Sequence, residues 1–293
     1  MEDFRIISNY KDSDELRLSF NNLANRTFGI DFEQWYQRGL WNDTYICYSY
    51  ANENTVVSNV SITKQDLIVK GERKKALQIG TVMTHPDHRN RGLSKNLMNH
   101  VLSQYEKTHD LIFLFANKEV VNFYPKFGFE EIRESRFTAD IGIGNFIFNK
   151  MRKLNTSNNT DLNTIIRLAN ERIPVSSRFG VDGAQGSLLG WYCLNVFTED
   201  VYYFEDLDAI AIYKLVEDKL HLFDVIAKEQ VHLQKVLSRI ALDQVQQLVF
   251  HFTPDFPDIN PTCTDSEPED VLFIKTKSMT MPTCFKYPIT AKA

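Results

Sequence analysis

The chain of 293 residues is predicted to be an α/β protein: a mixed β-sheet flanked by helices, followed by a second α/β unit whose element order echoes the first. Three features predict it. In the first half, helical and strand periodicities succeed one another as helix, strands, helix, strand, helix, strand, the order of an α/β sheet. Within that half the run Gln78-Ile79-Gly80-Thr81-Val82-Met83-Thr84 passes through a turn bearing Arg89, Asn90, Arg91 and Gly92 into a helix. After a polar stretch, a similar series of strands and a helix follows.

The first helix is expected over 12–26, where Leu16, Phe20 and Leu23 share one side. Strands are expected at 45–50, 56–62, 67–69 and 76–84. The helix at 93–107 is the best supported element, because Leu93, Leu97, Val101 and Tyr105 recur every four residues with Met98 and Leu102 beside them. A strand at 111–115, a short helix ending near Tyr124 and a strand near 129–137 complete this half. The stretch 150–161, with Asn155-Thr156-Ser157-Asn158-Asn159-Thr160, has few apolar residues and reads as a linker. It separates a first domain at 1–145 from a second at 155–293. In the second, 201–204, 209–215 and 220–226 read as strands, 231–241 as a helix and 248–252 as a strand. The Pro- and acid-rich stretch 253–270 reads as a long surface loop.

The turn between strand and helix has the chemistry of a diphosphate cradle. The first N–H groups of a helix lack partners and carry the positive end of its dipole, so a phosphate can accept several bonds there. Gly92 presents no Cβ to an approaching ligand, and Arg89 and Arg91 can add charge-assisted donors. A nucleotide-binding P-loop would need Gly-Lys-Ser/Thr, whereas Gly92 is followed by Leu93. A dinucleotide fingerprint would need three glycines and an acidic residue about 20 positions on, and the turn holds one glycine.

These residues resemble a known family. Arg89-x-x-Gly92-x-Ser94, with Pro86 before it, is similar to the Arg/Gln-x-x-Gly-x-Gly/Ala signature of the GNAT superfamily of acyl-CoA-dependent N-acetyltransferases, Ser94 standing where Gly or Ala is usual. A second segment, Asn117-Lys118-Glu119-Val120-Val121-Asn122-Phe123-Tyr124 with Gly128-Phe129 beyond, resembles the family's Asn-x-x-Ala-x-x-Phe-Tyr segment, with Val120 for alanine. The resemblance covers about residues 1–140. It implies a GNAT-like fold, acetyl-CoA as co-substrate, and an amine acceptor. The echo after the linker then suggests a degenerate GNAT-like second domain. Its turn Ala227-Lys228-Glu229-Gln230 lacks glycine and carries an acid, so it should not bind CoA; closing the acceptor site or making a subunit contact are the roles open to it.

Transfer of an acetyl group needs a polarised carbonyl, a neutral amine and help for the departing thiolate. The resemblance assigns pairing with the pantetheine arm to Val82 and Thr84, and oxyanion stabilisation to the N–H of Val82 or Met83. The diphosphate falls to Arg89, Asn90, Arg91, Gly92, Leu93 and Ser94. Asn117 would meet the pantetheine amides or cap the helix that follows it. Tyr124 would face the leaving sulfur. A phenol pKa of about 10 against about 8.5 for a thiol makes full proton transfer uphill by roughly 2 kcal/mol, so its expected role is hydrogen-bond donor. No residue identifies itself as the general base; His85 and His88 lie in the cradle loop, where facing phosphate or solvent is the commoner outcome. Phe28, Phe32, Trp35, Trp41 and Tyr45, with Asp31, Glu33 and Asp43, form an aromatic, acidic segment. It would either pack as core or line an acceptor site for a cation. The acceptor is a small-molecule or peptide amine. The alternative function is an acyl-CoA-binding regulatory or scaffold protein without turnover.

Composition is that of an ordinary globular protein, 43% hydrophobic and 24% charged. Dispersed basic residues and a net charge of −5 argue against nucleic acid as a principal partner. No run approaches the roughly 20 apolar residues of a membrane span, and the N-terminus has no signal-peptide character, so a cytoplasmic location is expected. Cys47, Cys193, Cys263 and Cys284 are too far apart for a Cys-x-x-Cys metal or redox pair and are expected to be reduced thiols in or near the core. No metal is expected, and a homo-oligomer is compatible with the sequence.

Overall fold

A computed structural model describes residues 4–141, 151–183, 185–240, 242, 245–267 and 269–293. The expected boundary at 145, Lys150 at the head of the linker, Ala241 at the end of the second-half helix, and Met1, Glu2 and Asp3 lie outside them. In chain order the first half contains β1 (Arg5–Ser8), α1 (Asp14–Phe28), α2 (Glu33–Gln37), β2 (Tyr45–Asn52), β3 (Thr55–Val69), β4 (Glu72–Thr84) and α3 (Leu93–Tyr105). It continues with β5 (Leu111–Asn117), 3-10 turns at Lys118–Val120 and Tyr124–Phe127, β6 (Glu130–Ile132) and β7 (Ser135–Asp140). The rest contains β8 (Met151–Lys153), α4 (Asn159–Glu171), β9 (Phe179–Asp182), α5 (Gly186–Asn195), β10 (Val201–Phe204), β11 (Ala209–Val216) and β12 (Lys219–Ile226). There follow α6 (Leu233–Leu237), β13 (Gln247–Phe250), β14 (Thr262–Asp265), β15 (Asp270–Thr276) and a 3-10 turn at Ile289–Ala291.

These strands form two mixed sheets. The first runs β1-β2-β3-β4-β5-β15-β6 with β9 also on β3; the second runs β14-β7-β13-β12-β11-β10-β8. The mixed α/β class is the one expected. The division of the chain at 145–155 does not coincide with the division between sheets. β7, from the first half, pairs with β13 and β14 in the second sheet, whereas β9 and β15 pair into the first. Periodicity marks a segment as a strand without naming its partner, which is why the exchange is invisible in the sequence.

Several elements differ from expectation. The segments 56–62 and 67–69 are one continuous strand, β3. The stretch read as a linker contains β8 and the start of α4, whose cap Asn158 accepts from the N–H of Thr160 at 2.8 Å. The stretch read as a loop contains β14 and the first residue of β15. Helix α5 was not foreseen, because Leu188, Leu189, Trp191, Tyr192, Cys193 and Leu194 place apolar groups on nearly every side and leave no stripe. Its burial between the two sheets is what such a composition requires. Cys263 and Cys284 form a disulfide, joining β14 to the segment before the C-terminal residues; Cys47 and Cys193 are the buried free thiols. Among the described residues no helix is long and apolar enough to cross a membrane.

The first sheet is fixed by α3. Leu97, Met98, Val101 and Leu102 are buried against Val60, Ile62, Leu77, Ile79 and Leu114, each such side chain contributing about 1.5–3 kcal/mol relative to exposure. The second half is joined to the C-terminal segment by a buried ion pair. Arg172, following α4, donates to both carboxylate oxygens of Asp224 on β12 at 2.7 and 2.8 Å, and the Thr290 hydroxyl donates to the same carboxylate at 2.6 Å. Asp224→Ala leaves the guanidinium buried without its counter-charge, and a loss of about 3–5 kcal/mol is expected, measured as a lowered urea midpoint at unchanged slope.

Candidate active site

The site begins where two parallel strands part. β4 and β5 pair in register from Ala76–Leu111 to Ile79–Leu114 and no further. Beyond that point β4 keeps its pairing with β3 up to Thr84, while Phe115, Ala116 and Asn117 of β5 pair with β15. The β5-facing edge of residues 80–84 has no strand beside it among the described residues. A cavity of about 460 Å3 fills the opening, with Thr81, Val82, Asn117 and Tyr124 on its walls.

A bulge shapes the β4 wall. Ser61 faces Gly80 and Asn59 faces Met83, so β4 has one residue more than β3 in the interval, and Thr81 takes a left-handed backbone with φ 48°. Polar groups hold it there. The buried Asn59 donates to the Thr81 carbonyl at 2.8 Å and to Ser61 at 2.9 Å, and accepts from Ser49 at 2.8 Å, with Tyr10 behind Ser49 at 2.6 Å. The Thr81 and Tyr45 hydroxyls lie 2.8 Å apart. Val82 follows, half-buried and facing the opening, and Met83 points its side chain into the core on the other side.

The cradle lies at the end of the same strand. The Thr84 hydroxyl is 2.5 Å from that of Ser94 and 2.8 Å from that of Ser58, tying strand end to helix start. Gly92 caps α3 with φ 76°, and a Cβ built on it meets no atom within 4 Å. Glycine is therefore required by the backbone conformation rather than by crowding within the protein. The first intrahelical acceptor, the Gly92 carbonyl, is engaged by Asn96. The N–H groups of Gly92, Leu93 and Ser94 have no acceptor among the described residues. Leu93 anchors the turn in the core. Arg89 is exposed, its Nε 3.4 Å from the Thr84 carbonyl; Asn90 is left-handed with φ 61°; Arg91 lies against His88 and over the Phe4 ring at 4.9 Å. His85 is engaged by Arg26 at 2.9 Å.

Asn117 caps the turn Lys118–Val120 by accepting from Glu119 N–H at 2.9 Å, and also lines the cavity. Tyr124 starts the next 3-10 turn and is buried to 5% exposure. Burial pushes its phenol up to about 12, and its hydroxyl has no hydrogen-bond partner among the described residues. The protein thus keeps it as a protonated donor.

The second half supplies the opposite wall. Trp191 of α5 stacks on Phe32 with centroids 6.2 Å apart, Trp35 donates to the Ser187 carbonyl at 2.8 Å, and Ser187 donates to that of Leu40 at 2.6 Å. The last residues run beneath. Tyr192 donates to the Lys292 carbonyl at 2.7 Å, and the Gln78 side chain donates to the Ala293 carbonyl at 2.8 Å while accepting from its N–H at 3.0 Å. A Cβ on Gly80 would come within 2.9 Å of that carbonyl, so glycine here permits the close approach. Asn59, Gln78, Gly80, Trp191 and the C-terminal residues were not singled out from sequence. A buried glutamine amid Ala76, Leu77 and Ile79 was the available signal.

The aromatic, acidic segment behaves in two ways. Phe32, Trp35, Trp41 and Tyr45 form a buried cluster, of which Phe32, Trp35 and Tyr45 reach the cavity. Its carboxylates do not: Asp31 caps the N–H of Glu33, Glu33 pairs with Arg17 at 2.9 Å, and Asp43 pairs with Lys11. Of the two readings left open, core packing describes the rings, and the three carboxylates are taken up by a backbone cap and by ion pairs with Arg17 and Lys11 rather than by the cavity. In the degenerate turn, Lys228 is held by Glu171 at 2.6 Å and Asp208 at 3.4 Å. Asn59→Ala removes the clamp on Thr81 and orphans the Thr81 carbonyl. A loss of about 1–3 kcal/mol in denaturation and a lower kcat are expected together.

Residues 11–132 match the family model described as acetyltransferase (GNAT) domain. No curated protein sequence matches the chain. Among solved structures, a conserved protein of Enterococcus faecalis described as a probable N-acyltransferase is similar, with a TM-score of 0.60 at 14% identity over 94% of this chain and 72% of the other. Eis1 from Mycobacterium abscessus gives 0.56 at 13% identity over 94% and 73%. A GCN5-related N-acetyltransferase from Kribbella flavida gives 0.55 at 15% over 94% and 71%. At these identities the likeness is one of fold, and it extends through both sheets. The parted strands and the exposed helix start lie within residues 11–132, the segment that matches the GNAT acetyltransferase domain.

Proposed function

We propose that the protein transfers an acetyl group from acetyl-CoA to an amine by direct attack, without a covalent enzyme intermediate. The observation that carries this reading is the edge of β4 that has no strand beside it among the described residues, with, among those residues, no acceptor for the amides of Gly92, Leu93 and Ser94 at one end and no partner for the Tyr124 hydroxyl at the other. Such an edge suits an extended amide-bearing arm, and such amides suit a diphosphate. Acetyl-CoA would supply an activated acyl group as its thioester.

The residues of the chain then have separable tasks. Gly92, Leu93 and Ser94 receive the diphosphate, with Arg89 and Arg91 beside them. Val82 and Thr84 offer backbone groups to the pantetheine arm, and the N–H of Val82 or Met83 polarises the acyl carbonyl as negative charge develops on its oxygen. Tyr124 donates its hydrogen bond to the sulfur as the C–S bond breaks. With a phenol at about 12 and a thiol near 8.5, the proton stays on the Tyr124 oxygen; CoA leaves as a thiolate stabilised by that hydrogen bond, and the proton given up by the amine passes through solvent to the thiolate. Residues up to 145 hold the donor in this reading, and 155–293 close the acceptor side.

Tyr124→Phe is expected to lower kcat by about 100-fold and leave CoA affinity nearly unchanged. Because burial favours the protonated phenol, the wild-type enzyme should show no loss of kcat from this group as pH rises toward 10; an unchanged kcat in the variant would remove the tyrosine from the mechanism. Gly92→Val places a branched side chain on the open face of the cradle, and calorimetric titration with CoA should show binding lost. Retained affinity would put the phosphates elsewhere.

A further inference from the structure

The geometry points to an acceptor that is a monoamine on an aromatic or compact apolar body, with polycationic amines disfavoured. This rests on the acetyl-transfer reading and names the acceptor class for it. The wall away from the cradle is built of aromatic and alkyl side chains. Phe32 stacks on Tyr45 at 5.8 Å and 27° and on Trp191 at 6.2 Å and 30°, and Ile30 and Leu188 fill in beside them. Flat apolar bodies pack on such surfaces by offset stacking, and a single ammonium group can be tolerated over a ring face before it loses its proton.

A second positive charge would find no carboxylate side chain on the cavity wall that is not already paired, among the described residues. Two charged side chains line the cavity, Asp270 and Lys292, and they pair with one another. The Lys292 ammonium also lies over the Phe115 ring at 4.4 Å. The carboxylates nearest in sequence to the aromatic wall are held outside by Arg17, Lys11 and a backbone cap. An oligoamine or amino sugar would bury ammonium groups without counter-charges, which is strongly unfavourable. The aromatic wall comes from both halves of the chain, so the specificity belongs to the assembled fold.

The test uses the full chain, acetyl-CoA and four acceptors: phenethylamine, spermidine, kanamycin and a lysine-containing peptide. Thiol release should give phenethylamine a kcat/KM at least tenfold above each of the others. Calorimetry in the presence of CoA should show saturable binding of phenethylamine and none of spermidine. Leu188→Asp, which adds an unpaired carboxylate to the aromatic wall, should narrow the ratio of phenethylamine to spermidine at least tenfold, with CoA affinity as the control for folding. Spermidine, kanamycin or peptide turned over as well as phenethylamine would overturn the inference and leave acetyl transfer standing. Phenethylamine bound without thiol release would support the acceptor class and overturn acetyl transfer. Failure of phenethylamine to bind or react overturns the inference outright.

Discussion

The separation of β4 from β5 after Ile79 and Leu114 is the constraint from which the site follows. Two parallel strands that stayed paired would consume each other's backbone groups and close the sheet. Here β5 keeps β15 on one edge along its whole length and β4 keeps β3 up to Thr84, while the β4–β5 pairing stops, so a strip of main chain is left without a neighbouring strand among the described residues. Unpaired backbone away from water is costly unless something arrives to pair with it. A ligand with its own amides is the natural complement.

Keeping that opening in shape takes polar side chains in an apolar setting. Asn59 uses both donors and its acceptor within the protein, and Thr81 is held from two sides in a conformation that threonine adopts rarely. Strain of this kind persists only where the surroundings over-determine it. The network is silent in a hydropathy profile, since serine, asparagine and threonine within a strand look like a weak strand. In three dimensions they set the direction of the amides at Val82 and Met83.

The two halves of the chain are not independent bodies. β7 crosses into the second sheet, and β9 and β15 cross into the first. The C-terminal residues are fastened to both, through Asp224 and Arg172 on one side and Gln78 on the other. The disulfide between Cys263 and Cys284 secures the approach to that segment. The aromatic wall, built from α2, β2 and α5, exists because this interlocking brings Trp191 against Phe32.

The sequence by itself determined the strand, turn and helix start at which the proposed donor would bind. The four-residue recurrence in α3, the glycine at its cap and the spacing to Asn117 and Tyr124 are local patterns. Helix geometry and the left-handed turn convert the first two into an exposed helix start, and the short turn after Asn117 puts Tyr124 on the cavity wall. It also determined the α/β class, because alternating periodicities leave few other ways to bury their apolar faces. Tertiary structure decided the aromatic wall of the cavity and the assignment of strands to sheets. The segment around Asp31, Glu33 and Asp43 left core packing and a cation site both open until a backbone cap and ion pairs engaged those carboxylates, and a helix as uniformly apolar as α5 gave no face to orient. β15 could not be placed in the first sheet from its own residues. Partner choice and side-chain direction depend on contacts between residues a hundred or more positions apart, and no local pattern records them.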